Sequence, residues 1–370
     1  MRRKRGETDI LSPFIIINKY NKGNIMKTII KTLLVSIASL SLMFSVNAGE
    51  LTVSGTAKAT YNANSGGTHD QGLGITNELN LTASGEMDNG YTWSYSMELD
   101  PASGGAANND DTQIVIGLND MGSVKVCISE CGNNKKYAWD ASAYTKMSDT
   151  GFSEGIVYPG DAGAAGTGTI QYHTPELPFG TTVSVAYNTN LAGDAASGNS
   201  TGSSGNSSDE YSLVTKPIDG LTLSAHYFSE NDYDDGVTTE QQLQEGGSYA
   251  LKYSAGNITV GYGKSLHAPE ITTVVTTGAL AAEAEYYENT GMSIGFAVND
   301  DLSVSYTREE SERNLANSGT IQYDIEMDSI QVAYSLGGAT LSIARADYEN
   351  VNYIQNYDAE ETIVAMTFAF

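Results

Sequence analysis

The chain has 370 residues, with 45 acidic and 19 basic side chains and a net charge of −26. Residues 1–48 hold eight Lys/Arg and two Asp/Glu, so residues 49–370 carry 43 acidic (45 − 2) against 11 basic (19 − 8) groups, a net of −32. That balance excludes a nucleic-acid partner, whose phosphates are held by Lys and Arg, and four His with two Cys leave little material for metal or redox chemistry.

The first segment to stand out is a targeting signal. Met26 to Lys31 is a short basic start, Leu33 to Val46 is an uncharged apolar run, and Val46-Asn47-Ala48 is a small-residue cleavage pattern. These three regions in order predict a signal peptide over 26–48, removed after Ala48. The apolar run has 14 residues, too few for a spanning helix. Residues 1–25 then read as an upstream extension or a misassigned start, because a signal peptide belongs at a terminus.

Beyond residue 48 the pattern has a period of two. Tyr91–Leu99 places apolar or aromatic residues at every odd position and polar residues at every even one. Segments starting at Thr182, Leu221, Ile258 and Leu302 repeat it. Successive strand side chains point to opposite faces, so each segment has one apolar and one polar face. Twenty-three Tyr and 39 Gly suit strands and turns. A soluble sandwich also alternates, but three features favour a membrane barrel. The polar faces are rich in Ser, Thr and Gly while Tyr and Trp mark the ends of the apolar faces. The segments run about 8–12 residues, as a tilted spanning strand needs. Connections alternate between short turns, such as 87–90, 119–122, 217–220 and 336–338, and longer loops at about 63–72, 100–111, 130–167, 190–209, 230–245, 266–284, 309–322 and 349–357. Seven turns and eight loops connect 16 strands, an even-stranded antiparallel transmembrane β-barrel in one domain over 49–370.

Alternation also assigns faces. Leu51 and Val53 face lipid, so Lys58 points inward; the same count turns Glu78, Glu98, Lys125, His226 and Lys252 inward. Arg308 and Arg345 share the apolar parity of their strands and belong above the membrane at the loop ends, unless a bulge flips them. Cys127 and Cys131 are four apart in a chain bound for an oxidising compartment, where a disulfide closing a small loop is the expectation. A metal or redox pair is the alternative, but redox motifs use C-x-x-C and zinc needs four ligands. No nucleophile elbow, zinc-protease motif or phosphate loop occurs, and His69, His173, His226 and His267 are dispersed. No catalytic residue, metal site or cofactor is expected.

The chain ends Thr362-Ile363-Val364-Ala365-Met366-Thr367-Phe368-Ala369-Phe370, alternating back from a terminal Phe. This resembles the closing strand of Gram-negative outer-membrane general porins, and Gly49–Gly55 resembles their opening strand. The resemblance spans 49–370 and implies an outer-membrane location, passive diffusion of ions and small hydrophilic solutes, a homotrimer, and Phe370 as the signal read by the barrel assembly machinery. It also implies that the third loop, here the long 130–167 stretch after strand Ser123–Ile128, folds into the lumen to narrow it. Asp140, Asp149 and Glu154 of that loop would then oppose Lys58, Lys125 and Lys252, with Glu78 and Glu98 also lining the pore. The dense arginine ladder of the family is not evident. Acidic loop runs at Asn108–Asp111, Asp232–Asp235, Glu309-Glu310 and Asp358–Glu361 would ring the mouth and favour cations. Rival readings are a substrate-specific porin, which would show an aromatic track along the lumen, an outer-membrane barrel enzyme, and a secreted β-sandwich adhesin.

Overall fold

The computed structural model describes residues 49–66, 71–101, 107–127, 138–149, 168–188, 207–231, 242–271, 284–315 and 322–370. The proposed extension and signal, residues 1–48, lie outside the described residues.

Sixteen strands follow in order: β1 (Glu50–Ser65), β2 (Gly72–Glu86), β3 (Thr92–Pro101), β4 (Ala107–Gly117), β5 (Ser123–Cys127), β6 (Thr169–His173), β7 (Thr182–Asn188), β8 (Ser207–Thr215), β9 (Leu221–Asn231), β10 (Glu245–Ala255), β11 (Ile258–Ala268), β12 (Ala284–Ala297), β13 (Leu302–Leu315), β14 (Ile325–Ser335), β15 (Ala339–Glu349) and β16 (Ala359–Ala369). Each pairs antiparallel with its sequence neighbours, and β1 pairs with β16 from Thr56↔Ala369 to Ser65↔Glu360, so the sheet closes as a barrel. Closure leaves no unpaired edge, which lets a sheet cross hydrocarbon. No helix among the described residues is long and apolar enough to cross a membrane; the strands do the crossing.

The short turns lie where expected. Gly90, Gly122, Gly220 and Gly337 take φ values from +72° to +89°, which a side chain would resist. Strand lengths vary more than the alternation predicts, from 16 residues in β1 to five in β5 and β6.

The outward parity is apolar. Leu213, Leu251, Val260, Ile294, Ile330, Ile343 and Val364 form its middle band, all exposed on the isolated chain. Tyr253, Phe296, Tyr334, Phe368 and Phe370 lie toward the turns, and Tyr211, Tyr249, Tyr262 and Tyr306 toward the loops. An apolar band between two aromatic girdles is the lipid-facing surface of a spanning barrel. Beyond the loop-side girdle the same parity carries ion pairs. Arg308 binds Glu326 and Asp328, Arg345 binds Asp347 and Glu360, and Lys264 binds Glu288. The β13–β14 register is unbroken from Leu302 to Ser311, so no bulge flips Arg308.

Three of the predicted acidic loops need correction. Strand β4 starts at Ala107, β13 runs to Leu315 and β16 starts at Ala359, so Asn108–Asp111, Glu309-Glu310 and Glu360-Glu361 are strand residues. Main-chain pairing extends strands past the point where apolar alternation stops: Glu309 faces Gly291 on one side and Met327 on the other. Side chains above the bilayer need not be apolar, so composition hides the strand ends there. Asp232–Asp235 lies outside the described residues.

Candidate pore and constriction

The parity opposite the lipid-facing band is largely Ser, Thr, Gly, Asn and Gln, with a few charges among them. Register sets Lys58 beside Thr76, Glu78 beside Thr56, Glu98 beside Asn80, Lys125 beside Gln171, and Lys252 beside Thr222 and Gly261. The Glu78 carboxylate accepts from Thr56 Oγ1 at 3.3 Å. His226 is buried on the inner wall of β9, its Nε2 3.8 Å from the buried Glu210 carboxylate of β8.

Residues 138–149, the described part of the third loop, meet this wall at successive strands. Lys252 on β10 donates to the main-chain oxygen of Asp140. On β12, Ser293 Oγ donates to the Trp139 oxygen (3.3 Å) and accepts from the Ala141 N–H (2.9 Å). On β13, Ser305 Oγ accepts from Ala143 N–H (2.8 Å), and the Thr307 and Ser142 hydroxyls bond at 2.7 Å. Gln331 on β14 accepts from the Tyr144 N–H (2.9 Å) and donates to the Thr145 oxygen (2.6 Å). Glu309 accepts from the Met147 N–H at 3.0 Å and the Ser148 hydroxyl at 2.7 Å. The main chain of an irregular segment needs partners when water is excluded, and here wall side chains supply them.

The predicted loop–wall charge pairs take a different form. Asp140 Oδ1 turns back on its own loop, accepting from Ser142 N–H (3.0 Å) and Oγ (2.6 Å). Lys252 therefore meets the loop at a carbonyl rather than a carboxylate. Lys58 Nζ lies over the Tyr144 ring, 5.7 Å from its centroid, a cation–π contact. Asp149 ends a single 3-10 turn, Met147–Asp149; its side chain, with Glu154 and Cys131, lies outside the described residues. Cys127 is disulfide-bonded, and its Sγ also touches Thr169 Oγ1 at 3.3 Å.

The lumen wall is also less uniformly polar than alternation suggests. Ile325, Met327, Ala344, Ala346, Tyr348 and Ile363 are buried on the inner face of β14–β16, where they cluster with Met147 of the loop. Val351 and Tyr353, between β15 and β16, join the same cluster. These apolar side chains face the lumen because other parts of the chain cover them. Tyr353 hydrogen-bonds Ser311 at 2.8 Å and lies 4.4 Å from the Arg313 guanidinium. Burial pushes the Tyr353 phenol above its ordinary range.

Sequence reasoning did not find Trp139, Met147, Ser293, Arg313 and Gln331, and it read Glu309 as an acid of a mouth loop. The polar parity of β12–β14 was visible; which of its members a loop about 150 residues away would touch was not.

The Gram-negative porin family model matches residues 33–370. The chain belongs to the Gram-negative porins. It is an outer-membrane β-barrel channel. Solved structures agree on the fold at low identity. OmpF of Salmonella typhi, in complex with daunomycin, is 14% identical, with a TM-score of 0.62 over 89% of this chain and all of that one. A loop-L8 deletion mutant of OmpT, an outer-membrane protein of Vibrio cholerae, is 12% identical, with a TM-score of 0.62 over 88% of this porin and all of the OmpT chain. An anion-selective porin from Comamonas acidovorans is 11% identical, with a TM-score of 0.57 over 87% of this porin and all of its own chain. Comparison with curated protein sequences finds no match.

Proposed function

We propose that this porin passes small hydrophilic solutes and ions by passive diffusion, without catalysis or a cofactor, through a constriction set by its third loop, and that it prefers cations. The observation that carries the reading is the run of hydrogen bonds from residues 139–148 to inner-wall side chains of β10 and β12–β14. A segment held that way narrows the channel and leaves a charged passage along β1–β5, where Lys58 and Lys125 sit among Glu78 and Glu98. The 43 acidic and 11 basic residues of 49–370 support the cation preference. A low-dielectric wall focuses the field of its lining charges, and that field reaches about 8–10 Å at physiological ionic strength.

Several further roles belong to the same reading. Residues 26–48 direct export and are removed. Cys127 pairs with Cys131 and staples the base of the loop. Phe370 is read during insertion by the assembly machinery, and the apolar band contacts outer-membrane lipid. The functional unit is a homotrimer.

A solute-specific porin would present an aromatic track to its solute. Rings do follow one another on the inner wall, with centroids 5.9 Å apart for His226–Phe228, 6.2 Å for Phe228–His267 and 6.3 Å for His267–Tyr287. Phe228, His226 and His267 are buried, so they offer no such face. Recording in a planar bilayer across a salt gradient tests the proposal. A cation-favouring reversal potential that fades as salt rises is expected; a zero or anion-favouring potential at low salt refutes the preference.

A further inference from the structure

Three lumen-facing glycines lie under the loop. Gly261 is on β11, and Gly291 and Gly295 flank the inward Ser293 on β12. Register puts Gly261 directly beside Ser293. Their neighbours of the opposite parity, Met292 and Ile294, are exposed to lipid, which fixes the glycines inward. A Cβ added at any of the three would meet the loop closer than 3.0 Å: at Gly261 the Trp139 carbonyl, at Gly291 the Trp139 indole, and at Gly295 the Ala141 carbonyl. Two of those contacts are with main chain, which cannot swing aside. Trp139 itself is 1% exposed, although it belongs to a loop segment inside a channel.

Glycine weakens a strand interior, and one there marks a bend or a close approach of another backbone. No register shift occurs between β11 and β12, which leaves close approach. Bulky side chains pack only where space is matched to them, and here the absence of three side chains makes the space that one indole and two carbonyls fill.

We propose that Gly261 and Gly291 form a seat for Trp139, with Gly295 leaving room beside it for the Ala141 carbonyl, and that this seat sets how far the third loop stands off the wall and hence how wide the passage is. The glycines are positioning residues. Their effect on conduction rests on the channel reading above; the seat itself does not.

The test uses Trp139 as its own reporter. The chain has two tryptophans, so a Trp93→Phe background leaves Trp139 alone. In that background acrylamide should quench the fluorescence weakly. Gly291→Ala should raise the quenching constant severalfold and, in bilayers, raise conductance and open-channel noise. Gly74→Ala is the control, because it places a methyl on the inner wall of β2 near Thr60 and away from the loop; it should change neither. A conductance cycle guards against misfolding. With Trp139→Ala the indole is gone, so adding Gly291→Ala should change conductance by about 1-fold, that is, not at all, because the two substitutions act on one contact. If Gly291→Ala alone fails to insert but the double variant inserts, the overlap is confirmed. Unchanged quenching in inserted Gly291→Ala protein overturns the seat. Increased quenching with wild-type conductance overturns its role in the passage. A shielded Trp139 in a protein that never conducts would instead refute the channel reading and leave the seat standing.

Discussion

Glu309 gives the sharpest test of the loop's anchorage. It is fully buried on the inner face of β13 and accepts from the Met147 N–H at 3.0 Å and the Ser148 hydroxyl at 2.7 Å. Ser148 N–H, at 3.5 Å, adds little. Glu309→Ala removes the carboxylate that accepts from the Met147 N–H and the Ser148 hydroxyl. Each hydrogen bond to a charged group contributes about 1.5–3 kcal/mol, and two are lost. Lumen water will recover part of that, so we expect the loop to lose about 3 kcal/mol of docking free energy. At 1.4 kcal/mol per decade, this is about a 100-fold shift toward the undocked loop. Glu309→Gln keeps an acceptor oxygen but forfeits the charge, and charge-assisted bonds are about twice as strong as neutral ones, so about half the loss is expected. Single-channel recording reads both variants as raised open-channel noise and conductance, graded Ala above Gln above wild type. Heat-modifiable migration on gels verifies that the barrel is intact. Wild-type noise and conductance in well-inserted Glu309→Ala protein would refute the anchorage.

The closing strand makes a second prediction. Gly55 N–H donates to Phe370 O at 2.8 Å and Phe370 N–H to Gly55 O at 3.0 Å. Deleting Phe370 removes two bonds worth about 0.5–1.5 kcal/mol each at the barrel seam, so the yield of inserted protein should fall while conductance per channel is kept; equal yields refute this. Reducing the disulfide at Cys127 should raise current noise without unfolding the barrel, because a small closed loop contributes little to global stability. Mass spectrometry of non-reduced protein that finds two free thiols ends that idea. Lys58→Gln removes a positive charge beside the Tyr144 ring. The reversal potential should move toward cations, and an unchanged potential would place Lys58 off the permeation path.

Much of the barrel was legible because a spanning strand is a local object. Its outer face must be apolar and its main chain must pair, so Tyr91–Leu99 declares a strand from its own side chains, and Met87-Asp88-Asn89-Gly90 declares the turn before it. The parity of Lys58, Glu78 and Lys252, and the outward position of Arg308 and Arg345, came from the same two-residue period. That logic weakens beyond the bilayer. Glu309-Glu310 read as loop because neither is apolar, although β12 and β14 hold both in the ladder.

The constriction was a different matter. Alternation along a strand, with turn residues a few positions away, is enough to specify the closed barrel, its membrane-facing band and a polar opposite face. That Trp139 rests on Gly261 and Gly291, that Asp140 binds its own loop and that Lys58 lies over Tyr144 emerges once the chain is folded. Distance along the chain hides these contacts. The Trp139–Gly291 contact joins positions 152 residues apart (291 − 139), and a glycine that leaves room for an indole looks, in its own strand, like any other glycine.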